Sequence, residues 1–343
     1  MMGKSRMLTA CLVSAGVVIP SLAQVAPPPP GKPEPTPEFR PPPPPPPRRP
    51  VNRPVAAPPV DFEPISRRDD AGKIVRISEP VEYVAMSHNP LIDVALLAKM
   101  APYLYERRQR VESHVIENLD AIAGVEQGVI ESTRMSDEEN LRATTGRLMA
   151  LTSTPDLKQF LSLELMEDGV IPPAVGALTQ KIMESYQKDL TTEAMAAPVE
   201  EGGASPIDQM MHAVVRMSLS EFEYFYRELM MDTADHFGAV LPELGLDAET
   251  SAKVKPLADR LAAENDLDAR ASLIREIFAA MPEAARERAM RLAIERRPEV
   301  DPQSLMAPLP EGATAKEIDN ETRHEIIFQI LDGGRVDTSA FVE

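Results

Sequence analysis

The chain is poor in the residues that most often carry chemistry. It has one cysteine, no tryptophan, five histidines, nine phenylalanines and six tyrosines in 343 residues. Cys11 lies within the first apolar stretch, so a chain cut beyond it has no thiol left. Disulfides, cysteine-ligated metal and a cysteine nucleophile are then excluded, and core packing must hold the fold.

His88, His114, His212, His236 and His324 form no H-x₃-H pair. A carboxylate-bridged di-iron bundle wants two Glu-x-x-His motifs on inward faces, and only Glu321 to His324 supplies one. Asp232 with His236, and Asp208 with His212, stand four apart and read as helix-stabilising pairs. No D-x-D-x-D-G loop, G-x-S-x-G elbow, G-x-G-x-x-G or phosphate-binding glycine loop occurs. No catalytic, cofactor-binding or metal residue is therefore assigned, and no cofactor is expected.

Positive charge is also scarce, except at the start. Residues 1–59 hold seven Lys and Arg against two Asp and Glu, leaving 29 basic and 52 acidic residues for 60–343, a formal −23. Such a body repels phosphates, so nucleic acid is not an expected partner. Beyond the first apolar run no stretch is long enough to cross a bilayer, so the mature chain should have no transmembrane segment.

Lys4 and Arg6 precede a mostly apolar run from Leu8 to Ile19, and Ser21-Leu22-Ala23 offers small residues at −3 and −1. This is the layout of a secretory signal peptide over residues 1–23. Leu8-Thr9-Ala10-Cys11 imitates a lipoprotein box, but most of the apolar run follows Cys11, so cleavage after Ala23 without lipid is expected. The chain is thus read as exported, to the periplasm or the exterior.

Residues 24–64 hold 19 of the 35 prolines. Proline fixes φ and donates no N–H, so this stretch should be a disordered, semi-rigid polyproline-II linker. Arg40, Arg48, Arg49 and Arg53 sit beside its proline run, which would let it lie on an envelope protein or an anionic polymer. Residues 65–89 alternate in strand fashion, interrupted by Pro80, and are read as an extended arm packed on helices.

After the arm the patterning is helical. The fold class is all-α, a bundle of about eight or nine helices in two halves, 90–197 and 206–332, with a tail at 333–343. Asn89-Pro90 predicts the start of a long helix, with Pro102 as a kink or break. Along that helix Leu104, Val111, Asn118 and Val125 fall seven apart, as do Arg108, Val115, Ile122 and Val129. Six of the eight are apolar, the mark of a coiled-coil-like seam. Asn118 is expected inside the seam, where replacing it with leucine should raise stability by about 1 kcal/mol.

Further signals follow the same grammar. Asp168-Gly169 closes one helix, Pro173 opens another to about Ala197, and Ser205-Pro206 opens a third that stops at Gly238. Asp247, Asp268, Pro282 and Thr314 with Glu317 are read as later helix starts. Phe222, Tyr224, Phe225 and Tyr226 read as core with one partly exposed tyrosine, and the methionines of that helix as core filler. The function that follows is a non-enzymatic binding or scaffold protein of the bacterial cell envelope. The alternative is a helical hydrolase acting on envelope material through paired carboxylates.

Overall fold

The computed structural model describes residues 61–122, 151, 157, 159–196 and 206–342, the side chains of 206–209 and 211–216 excepted. The signal peptide, most of the proline-rich linker and the Ser136 and Thr154 helix starts lie outside these residues. The described part is an all-α bundle of nine helices with a single two-residue-stranded hairpin.

The helices are α1 Val81–Ser87, α2 Val94–Glu117, α3 Leu161–Glu167, α4 Pro173–Ala196, α5 Pro206–Val240, α6 Ala248–Ala263, α7 Leu267–Ala280, α8 Glu283–Glu295 and α9 Asn320–Leu331. α2 packs against α5, α9, α8 and α3, while α5 carries α4 on one side and α7 and α8 on another. One buried apolar cluster runs through α1, α2, α5 and α9, so 62–343 forms one compact unit and the halves 90–197 and 206–332 share a core.

The arm is only partly extended. Arg67–Arg68 pairs antiparallel with Ile74–Val75, and the Ile74 N–H donates to Glu193 on α4 at 2.7 Å. Pro80 then serves as the N-cap residue of α1, which corrects the reading of residues 81–89 as extended. All seven residues of α1 are buried. A helix covered all round shows no polar face, and its Val-rich run is indistinguishable from a strand.

Aspartates set four of the helix starts. Asp93, Asp247, Asp266 and Asp319 each accept the backbone N–H three residues on, satisfying a donor that has no partner inside the helix. Asp266 therefore replaces Asp268 as the cap of α7, and Asp319 replaces Thr314 for α9. Asn89 is not a cap of α2 because α4 claims it: its Nδ2 donates to the Val175 carbonyl and to Thr179 Oγ1, both at 2.9 Å.

Pro102 and Pro256 lie inside unbroken helices. The lost hydrogen bond costs about 3 kcal/mol, and at Pro102 the wholly buried Met100, Ala101 and Leu104 hold α2 together across it. Gly238 does not stop α5, which runs to Val240; Gly245, at φ +62°, follows the next turn. Nor is 333–343 a loose tail, since Val336 donates to Leu305 and Phe341 accepts from Lys316.

The seam of α2 is real as far as Glu117 and then ends. Leu104, Val111 and Val115 are fully buried, and Ile122 nearly so. Asn118, however, is the C-cap, at φ −132° and ψ 28°, and its Nδ2 donates to the His114 carbonyl at 2.8 Å. It is half-buried and spends its amide on a carbonyl that the helix leaves unpaired. Asn118→Leu is therefore expected to lose about 1 kcal/mol in urea unfolding, the reverse of the seam reading. A gain would restore the continuous seam. Val125 and Val129 lie outside the described residues.

Candidate functional site

The most concentrated chemistry in the body lies on α2, where Arg107, Arg108, Arg110 and Glu112 crowd into less than two turns. Arg107 and Arg108 point about 100° apart around the helix, so each enters a different network. Both networks are largely buried.

The first joins α1, α2, α3 and α5. Arg107, 2 % exposed, places Nε and Nη2 on the two carboxylate oxygens of Glu221 at 3.1 and 2.9 Å, a forked pair. Its Nη1 reaches Glu164 at 2.9 Å, and Arg110 holds the other oxygen of Glu164 at 2.7 Å. The Tyr83 hydroxyl donates to Glu221 at 2.5 Å. Burial opposes ionisation of Glu221, but the Arg107 charge and the hydrogen bonds from Arg107 and Tyr83 outweigh it and hold its carboxyl below the usual range. Tyr83 moves the other way, pushed well up by burial and by Glu221.

Glu82 lies beside this cluster and touches none of its cations directly. Its oxygens accept from Leu161 N at 2.9 Å, Ser162 N at 2.7 Å and Ser162 Oγ at 2.6 Å. Gln180 on α4 donates to the same Ser162 hydroxyl at 2.9 Å. Glu82 thus caps α3 from across the core. Burial, with Glu221 adding to it, lifts its carboxyl to about 7, against the pull of the Ser162 donors.

The second network ties α2 to α5, α8 and α9. Glu112, 2 % exposed, accepts from Arg108 Nε at 2.7 Å and from Arg297 Nη1 at 2.7 and 2.9 Å. Arg297 also holds Asp232 through Nε at 2.6 Å, and Arg108 reaches Asp332 at 3.2 Å and the Leu331 carbonyl. Burial first, then Asp332, raises the Glu228 carboxyl at the rim of this network.

The histidines go elsewhere. His236 bonds the backbone carbonyl of Asp232, whose carboxylate belongs to Arg297. His324 stacks on Phe328 at 4.3 Å instead of facing Glu321, and His114 Nε2 reaches the Leu151 carbonyl at 2.9 Å. The side chains of Asp208 and His212 lie outside the described residues. Among the described residues no three His, Cys, Asp or Glu stand close enough to hold a metal, and no helix is long and apolar enough to cross a membrane.

Phe222 and Phe225 are core, and the half-buried Tyr224 packs edge-on against Phe225 and Phe328. Two open hollows flank α2. One, of about 320 Å³, is lined by Ala95, Ala98, Pro102, Met306 and Leu309; the other, of about 490 Å³, by Glu106, Gln109, Ser113 and Glu117. Neither contains Glu82, Glu221 or Glu112.

Sequence reasoning assigned no site residue and missed both networks, whose members lie 54 to 224 residues apart. The one available signal was Arg108, a cation at a heptad position among apolar residues. No protein-family model, curated protein or solved structure matches the chain.

Proposed function

We propose that the chain is an exported, non-enzymatic helical binding or scaffold protein of the bacterial cell envelope. It would act in the periplasm or outside the cell, engaging an envelope protein or an anionic polymer through the proline- and arginine-rich linker 24–64. The single observation that carries this reading is the use the body makes of its buried acids. Glu82 caps a helix, while Glu221, Glu164 and Glu112 are each held by an arginine. A carboxylate already bonded on both oxygens inside the core has no lone pair to offer a substrate.

The hydrolase alternative draws on one feature: Glu82 is pushed up and Glu221 down, the opposed pair that acid–base work uses. It requires that pair to meet a substrate. The two readings separate when the purified chain beginning at Gln24 is sedimented with isolated cell-wall sacculi. Binding should fall as salt rises and disappear when Arg40, Arg48, Arg49 and Arg53 are all changed to Ser. Release of soluble fragments from the sacculi, abolished by Glu221→Gln, would establish the hydrolase instead.

A further inference from the structure

α3 is a seven-residue helix, too short to stand alone, and its first amide donors have no partner within the helix. Glu82 supplies that partner from α1, and Arg107 and Arg110 grip α3 again through Glu164. The charges of the cluster do not balance: Glu82, Glu221 and Glu164 face Arg107 and Arg110, three acids against two cations. With Glu82 ionised, one negative charge is uncompensated in the core.

We propose that Glu82 is a pH-sensitive latch for α3, holding it to α1 more firmly in acid and loosening as the pH rises. The groups facing Glu82 are Glu221 on α5, Arg107 on α2, Ser162 on α3 and Gln180 on α4, with Tyr83 beside it on α1. Docked, the Glu82 carboxyl is lifted to about 7 by burial; undocked, it meets water and returns to the ordinary 4.5. Between these values the docked state binds more protons than the undocked one, so docking strengthens as pH falls and weakens as it rises. The full effect is present below the lower value and lost above the higher. Docking should weaken up to tenfold per pH unit across that window, about two orders of magnitude in all.

The test is backbone hydrogen exchange on the full chain from pH 4.5 to 8, with the intrinsic pH dependence of exchange divided out. Protection of the Leu161 and Ser162 amides should fall about 100-fold with rising pH, while Phe225 and Leu229 in α5 stay protected. The Glu82 carboxyl carbon should titrate in step, with a midpoint near neutrality. In Glu82→Gln the pH dependence of those two amides should vanish. The latch is overturned by a Glu82 midpoint at or below the ordinary value, by flat protection in the native chain, or by loss in step with α5. Persistent pH dependence in Glu82→Gln overturns it equally. Should that variant fail to fold, the carboxyl titration and amide protection of the native chain decide alone.

Discussion

Arg107→Met is expected to cost about 3–5 kcal/mol, the loss that follows when one partner of a buried ion pair is removed and the other stays. The methionine fills the volume of the side chain but leaves Glu221 with Tyr83 as its remaining donor among the bonds described above. Burial then acts on that carboxylate unopposed by its cation. Urea unfolding of the variant measures the loss. Replacing Glu221 as well, in Arg107→Met/Glu221→Leu, should recover much of it, because an apolar pair of similar volume leaves no buried charge. A loss below about 1 kcal/mol would mean that the cluster exchanges freely with water, as surface pairs do.

Glu112→Gln should have a comparable effect for the opposite reason. Here two cations lose their shared anion. Arg297 keeps Asp232, but Arg108 is left with Asp332, itself more than half exposed, and the Leu331 carbonyl. The amide of glutamine also turns an N–H₂ toward one of the two guanidinium groups. A loss of about 3 kcal/mol is expected from thermal or urea unfolding. Arg107 and Glu112 share no partner in the described bonds, so the losses should add to within about 0.5 kcal/mol in the double variant. Strong non-additivity would show that α2 couples the networks.

The sequence reading went furthest where a stop or start residue and an apolar stripe agreed. α4 was legible to within a residue: Pro173 at its start, and Val175, Leu178, Ile182 and Tyr186, all buried, along one face. Gly169, at φ +71°, marks the end of α3 because few other residues take that conformation cheaply. α1 was lost because a helix buried on every side has no pattern to read. The cap of α7 was misplaced by two residues because Asp266 and Asp268 are equivalent as letters, and only the extended backbone at Asp266 separates them.

The ionic networks were beyond reach for another reason. Arg107-Arg108-Gln109-Arg110 looks like any solvated charge run, and 52 acids offer too many partners. Which acid meets which arginine is decided by helices far apart in sequence, and only folding brings them together.

That separation has a consequence for the order in which the chain becomes itself. The Ser87 carbonyl accepts from Arg323, 236 residues downstream, and the Leu331 carbonyl is taken by Arg108, 223 residues upstream. At a synthesis rate of about 5–20 residues per second, Ser87 emerges on the order of 10–50 s before its partner. Through that interval α1 and α2 have no α9 to cover them, and Tyr83, Leu97 and Leu104 face whatever surrounds the nascent chain. Closure therefore belongs to the last helix made, and a chain cut short before Asn320 would keep its apolar centre open.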